Sequence, residues 1–377
     1  GRKGIGSKRK TWSQTFKDAG YYTARVSKIY HMPVPKGIES GTDGADDPAS
    51  WGEKYNAKGP EWKAKGEGEL LENNVDRSKL VKGGNTMVMV KADGDDMDHS
   101  DGRAAAKACE LIRKHKDEPF FLAVGFVRPH VPFVAPRKYY EPYPYENIKL
   151  PEKIKGDWEG IPAGGINYKT TKNLKMDIEQ QKKSVSAYYA SVAYMDAQVG
   201  KVLDTLEQEG LRDNTIVIFT SDHGFHLGEH DFWMKVSLKE ESARIPMIIS
   251  VPGKKPGVCH SLTELIDLYQ TTAELCGLEV SAHLQGKSLA KTLDDPSVKV
   301  RDAAFCANKQ AYLIRTEKWA YTKYKKGAEL FDMEKDPQQF HNLANKPEYA
   351  ETVAKCQAML DAKLKEIHSN DLEWRKK

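Results

Sequence analysis

A carboxylate and an imidazole stand side by side at Asp222 and His223, directly after the apolar run Thr215-Ile216-Val217-Ile218-Phe219-Thr220. Where a chain leaves a sheet, such a pair can ligate one cation, and Gly224 lets the backbone turn sharply afterward. The same residues also fit an Asp that caps the next turn beside an ordinary surface His. Lys235 sits among bulky apolar neighbours in Phe232-Trp233-Met234-Lys235, a setting that suits a buried anion contact better than a solvated face. His130 lies between two prolines in Arg128-Pro129-His130-Val131-Pro132, so its backbone is fixed in the way a catalytic group requires. Lys28 and His31 follow a further candidate strand in Val26-Ser27-Lys28-Ile29-Tyr30-His31. Each is an ordinary residue taken alone. Together they put two lysines, two histidines and an Asp-His pair at the ends of successive strands, as an oxyanion site is built. His226 and His230 have the spacing that binds zinc on a helix, but Gly228 interrupts it, and structural roles are expected for both.

The elements that must position these residues follow from periodicity. The run Phe120 to Val127 is continuously apolar, the pattern of a strand buried on both faces of a parallel sheet, and Thr215 to Thr220 reads the same way. Tyr21 to Ser27, Asn85 to Val90 and Ile245 to Val251 are further strands. Helices are expected over Trp12 to Gly20, Gly102 to Lys116 and Ser184 to Gly210, the last with a core stripe of Val185, Tyr188, Val192, Met195, Val199, Val202 and Leu206. Residues 33–82 form a long polar excursion, a candidate substrate-side insertion. Alternation of strand and helix predicts an α/β fold with a mixed, mostly parallel sheet between helices, over residues 1–295. Ligands in such sheets bind at the carboxyl ends of the strands. Residues 296–377 change character: short hairpin strands around 311–332 and a final helix from about Pro347 to His368 predict a small α+β subdomain.

Of the 377 residues 30% are charged and 39% apolar, and the apolar ones cluster in short blocks, which excludes a disordered chain. A net charge of +4 with dispersed lysines argues against nucleic acid as a partner and is compatible with a polyanionic substrate. No apolar run reaches the length of a membrane span, and no signal peptide opens the sequence, which begins on the basic stretch Gly1 to Lys10 and reads as truncated or processed. Five dispersed cysteines without a CxxC pair indicate neither a disulfide framework nor a zinc site.

At these residues the sequence resembles the type I sulfatases of the alkaline phosphatase superfamily, most nearly the branch typified by iduronate-2-sulfatase. The stretch from Phe219 to Gly253, FTSDHGFHLGEHDFWMKVSLKEESARIPMIISVPG, carries most of the resemblance. The segments FLAVGFVRPHVPF and SKIYH add to it, as does ELFDMEKDPQQFHNLA near the C-terminus. The resemblance implies that Asp222 and His223 are two calcium ligands, that Lys28 and Lys235 hold the sulfate, that His31 lies beside the nucleophile, and that His130 contacts the sulfate and protonates the leaving oxygen. It also implies a sulfated carbohydrate substrate and a periplasmic or extracellular location. Ser27 departs from the pattern, since relatives usually have Gly before the lysine.

The nucleophile of such enzymes is a formylglycine made from Cys or Ser in a C/S-x-P/A-x-R motif, and an Asp-Asp pair completes the calcium site. Neither is expected here. Cys109-Glu110-Leu111-Ile112-Arg113 has the right spacing but Leu at the middle position, lies in a predicted helix and follows Lys28 in chain order. Asp46-Asp47 and Asp95-Asp96 read as solvated acidic turns. The expectation is therefore that the formylglycine and two further ligands lie on an N-terminal segment of the same protein, upstream of Gly1, and that this chain alone is inactive. Two rivals remain: a phosphoester or phosphonate hydrolase on the same fold, and a non-catalytic relative that binds anionic glycans.

Overall fold

The computed structural model describes residues 9–73 and 86–369. Most of the basic N-terminal stretch and the end of the 33–82 excursion lie outside the described residues. The chain divides into two compact units, Gly1–Leu150 with Leu174–Asn214, and Pro151–Asn173 with Thr215–Lys377.

In the first unit, β1 (Tyr22–Ser27) is flanked by two parallel neighbours, β2 (Glu53–Tyr55) and β5 (Phe120–Gly125). The register pairs Tyr22 with Phe120 and Ser27 with Gly125, so the carboxyl ends of β1 and β5 are level. A second sheet joins β3 (Gly66–Leu70), β4 (Val88–Ala92) and β6 (Phe133–Pro136), with β4 and β6 parallel. Three helices cover them: α1 (Trp12–Asp18), α2 (Ser100–Lys114) and α3 (Ile178–Gln208).

The helix α3 begins six residues before the predicted Ser184, because Asp177 and Gln180 form a reciprocal capping box there. Its buried face keeps Val185 and Leu206 of the predicted apolar stripe, whereas Tyr188, Val192, Met195, Val199 and Val202 are only half-buried. Small and polar residues fill the rest of it, among them Ala187, Ala190, Ser191, Tyr194 and Gln198. The Tyr194 hydroxyl accepts from the Gly102 amide at 2.7 Å and donates to the Asp96 carbonyl, and the Gln198 amide donates to the Asp96 carboxylate. A buried polar residue is stable only when so satisfied. Asp96 is thus no solvated turn. Burial alone would raise its pKa, but bonds from Lys201, Gln198, Lys138 and Tyr139 outweigh that and hold it down to about 2. The Asp46 side chain and Asp47 are buried as well, the first on Arg25 and the second on the Ser50 hydroxyl. Arg25 is 21 residues from Asp46, whereas Ser50 is only three from Asp47.

In the second unit, β7 (Val217–Thr220) pairs antiparallel with β10 (Met247–Ser250), and β8 (His226–Leu227) with β9 (Trp233–Met234). A four-stranded antiparallel sheet follows in the order β11 (Ala303–Ala307), β12 (Ala311–Thr316), β13 (Trp319–Tyr324) and β14 (Ala328–Asp332). The longer helices of this unit are α4 (Asp267–Leu275) and α5 (Ala350–His368). Cys356 and Leu360 of α5 pack on Ile314, Tyr321 and Leu330, while Leu313, Ala320 and Phe331 on the other face pack with Leu238. The sequence reading located three of these strands and missed β11.

Every residue of β5 and β7 is only half-buried, against the expectation of strands covered on both faces. Among the described residues each pairs along one edge alone, β5 with β1 and β7 with β10, and an edge strand leaves part of its surface exposed.

Candidate active site

In the first unit, Lys28 leaves the carboxyl end of β1 through Ser27, whose φ of 60° lies in the left-handed region. That conformation costs a residue with a Cβ roughly 1–2 kcal/mol and explains why glycine is the usual occupant. The turn is held from below by Arg25, fully buried in the middle of β1. Its guanidinium donates to the Ser27 carbonyl at 2.8 Å, to Asp46 through Nε and Nη2, to Asp43, and to the Asn56 side chain. From the side, the Lys28 amide donates to the Gly125 carbonyl at 3.0 Å. A Cβ on Gly125 would stand 1.9 Å from the Lys28 carbonyl oxygen, so only glycine admits this approach. His31 is exposed, and its carbonyl accepts from the Ala45 amide at 2.9 Å.

His130 follows β5 on a loop built around a buried polar knot. Arg128 donates to the carbonyls of His130 and Pro132 and to the Glu61 carboxylate. The Asp101 carboxylate accepts the amides of Val127 and Arg128 at 2.8 and 2.9 Å. Burial pushes Asp101 up to about 6, against the pull of the Arg128 charge and the two amides. His130 Nδ1 donates to the Val131 carbonyl, which leaves the lone pair on Nε2. The level ends of β1 and β5 thus put Lys28 and His130 at one end of one sheet.

In the second unit, Asp222 and His223 follow β7, and Lys235 follows β9. His223 Nδ1 donates to the Gly224 carbonyl at 2.8 Å, so Nε2 is the unprotonated nitrogen. Asp222 Oδ1 lies 3.6 Å from that Nε2, and Lys235 Nζ donates to it at 2.9 Å. A carboxylate, an imidazole lone pair and an ammonium therefore meet at one corner. Gly224 is required here for close approach and not for the sharp turn expected of it. A Cβ would lie 2.0 Å from the Glu241 carbonyl oxygen, and the Gly224 amide donates to Ser242.

His226 and His230 are structural, as expected. They lie on β8 and the following turn, with ring centroids 6.5 Å apart. His226 bonds Ser237 at 2.7 Å and is held down to about 3 by burial and by the neighbouring His230 and Lys239 charges, so it is neutral. His230 bonds Asp157. No group of three or more acidic, His or Cys side chains able to hold a metal occurs among the described residues. Asp222 and His223 fit a divalent cation as two ligands of several, since calcium takes six to eight, mostly oxygen. Cys109 is buried inside α2, the helix predicted for it, with its thiol on the Lys201 carbonyl.

The residues that sequence reasoning missed are the supports: Arg25, Glu61, Asp101, Arg128, Asp157 and Asn167. A lone charged residue in the middle of a candidate strand was the one visible signal, at Arg25.

Residues 3–278 match the model of the sulfatase family, and residues 228–367 that of the N-sulphoglucosamine sulphohydrolase C-terminal region. The chain belongs to the sulfatase family. A sulfatase from Formosa agariphila is 28% identical over 353 residues, covering 92% of this chain and 68% of that relative. Human iduronate 2-sulfatase is 32% identical over 329 residues, covering 72% of this chain and 55% of that relative. The sulfatase chain described here thus spans between about half and two thirds of the length of these proteins. Among solved structures, a phosphonate monoester hydrolase from Silicibacter pomeroyi superposes with a TM-score of 0.75 at 19% identity, over 95% of this chain and 80% of that one. A protein solved with its substrate D-glucosamine-2-N,6-O-disulfate superposes with a TM-score of 0.71 at 20% identity, over 99% and 85%. These likenesses establish the alkaline-phosphatase-like α/β fold. No helix among the described residues is long and apolar enough to cross a membrane.

Proposed function

We propose that this chain supplies most of the catalytic domain of a sulfatase that hydrolyses a sulfate ester of a sulfated carbohydrate outside the cytoplasm. The observation that carries this reading is the corner where Asp222, the His223 lone pair and the Lys235 ammonium meet. Asp222 and His223 would hold a calcium ion, with further ligands from an N-terminal segment of the same protein. The ion, when bound, supplies Lewis-acid polarisation and positive charge toward the sulfate oxygens. A formylglycine on that same segment would supply the nucleophile.

The chain's own residues do the rest. Lys28 and Lys235 place ammonium groups against the sulfate oxygens, where charge builds in the transition state. A sugar alkoxide is a poor leaving group and needs a proton. His130 is suited to give it: Nδ1–H is locked on the Val131 carbonyl, so the proton it carries and releases is on Nε2. His31 is the candidate base for the later step that frees sulfate.

In the complete protein, His130→Ala should lower kcat on an alkyl sulfate by about 10²–10⁴, and by less on an aryl sulfate, whose leaving group needs no acid. Unchanged alkyl sulfate turnover would remove His130 from this role. Because the phosphonate monoester hydrolase shares the fold, sulfate and phosphate esters of one alcohol should be compared. A preference for phosphate would overturn the sulfatase reading. An upstream sequence lacking C/S-x-P/A-x-R would point instead to a glycan-binding relative without turnover.

A further inference from the structure

Lys235 stands in a stretch of backbone that should not be stable by itself. His230, Asp231, Met234 and Val236 have φ values of 56°, 61°, 66° and 86°, four non-glycine residues in the left-handed region within seven positions. Such conformations persist only where the surroundings over-determine them. Hairpin pairing of β8 with β9 supplies only two residue pairs.

The surroundings come from a segment far away in sequence. Residues 151–173 leave the first unit and pack along this turn as a strap. At one end, both Asp157 carboxylate oxygens lie 3.0 Å from His230 Nδ1, and the Trp158 indole donates to the His230 carbonyl at 2.8 Å. Asp157 and His230 are both buried. In the middle, the Trp233 amide donates to the Lys169 carbonyl and its indole to the Thr171 hydroxyl. At the other end, the buried Asn167 amide donates to the Lys235 carbonyl at 3.2 Å and approaches the Trp233 carbonyl at 3.5 Å, spanning Met234. Its carbonyl oxygen accepts the Lys169 amide at 2.9 Å, which fixes which atom faces the turn. Lys235 Nζ then lies 2.9 Å from His223 Nε2.

We propose that Asp157 and Asn167 are positioning residues for Lys235: the strap over residues 151–173 grips both ends of the turn and so sets where the Lys235 ammonium stands against His223. A part for this in catalysis rests on the sulfatase reading, whereas the placement itself does not. A shift of the ammonium by one ångström would weaken its hold on an anion as much as many direct substitutions do.

The test is ¹⁵N NMR of the histidine rings in the 377-residue chain, with the His223 signal identified by its loss in His223→Gln. Lys235→Met, which removes the donor to Nε2, should displace that signal. Asn167→Asp keeps the acceptor for the Lys169 amide and the side-chain size but loses the donor to the Lys235 carbonyl. It should move the His223 signal in the same direction with unchanged circular dichroism. Asp157→Ala should do likewise, and Asp157→Asn, which retains an acceptor for His230 Nδ1, should restore it. If Asp157→Ala fails to fold, Asn167→Asp decides alone. A His223 signal unmoved in Asn167→Asp while Lys235→Met displaces it would overturn the proposal, leaving the strap a stabilising element only. No displacement in Lys235→Met would overturn it too, by removing the contact. Failure of the sulfatase reading would show separately, as absent sulfate ester turnover in the complete protein with the NMR response intact.

Discussion

The two lysines of the candidate site are held by opposite means. Lys28 follows a parallel strand through a single left-handed residue, Ser27, and is supported by that strand's own Arg25 and by its neighbour β5 through Gly125. Lys235 sits on a two-pair hairpin with strained backbone and is supported by a strap some 70 residues away in sequence. One position is a product of sheet geometry, which is rigid by construction. The other depends on a few side-chain bonds. The difference teaches that two residues of one type, assigned one kind of role, can differ widely in how much a distant substitution disturbs them.

The comparison is broken most severely by Arg25→Ala. It would remove the nearer counter-ion of the buried Asp46 carboxylate, leaving Lys54 at 3.9 Å, and should cost about 3–5 kcal/mol by chemical denaturation. Asp157→Ala, the corresponding cut in the second unit, should cost about 1–3 kcal/mol, because one buried partner is lost without leaving an unpaired arginine charge. If it cost as much as Arg25→Ala, the two supports would not differ as described.

Next come the glycines. Gly125→Ala and Gly224→Ala each drive a methyl group into a carbonyl oxygen and should destabilise by about 1–3 kcal/mol through backbone displacement. Smaller and opposite in sign, Ser27→Gly and Val236→Gly relieve left-handed backbone and should stabilise by up to about 1 kcal/mol, seen as raised denaturation midpoints. Ser27→Gly also removes a buried hydroxyl that has no hydrogen-bond partner among the described residues.

A further effect is that of pH. The folded pKa of Asp96 lies below its unfolded value of 3.8, so its stabilising contribution is complete above about pH 4 and is lost as pH falls toward about 2. The stability difference between wild type and Asp96→Asn should shrink over that window. A constant difference would mean that Asp96 is not held charged by Lys201 and Lys138.

Much of the first unit was legible because its signals are local. The apolar run ending at Gly125, the prolines around His130 and the break at Ser27 each report the backbone they occupy. The acidic pairs misled for the converse reason. Asp46 and Asp96 look like surface turns until Arg25 and Lys201 are seen beside them, and those partners are 21 and 105 residues away. The predicted stripe of α3 held at Val185 and Leu206 but went astray between them in the same way, since tyrosine and glutamine became core residues only through their bonds to Asp96.

By itself the sequence determined the family, the α/β character, the final α+β portion and the identity of the six candidate residues. Those follow from residue type, local spacing and motif, all of which a linear chain carries. Only the tertiary structure decided that His223 presents Nε2, that Lys235 reaches it, and that residues 151–173 keep it there. Those facts depend on hydrogen bonds between residues remote in sequence, whose direction and distance no local pattern encodes.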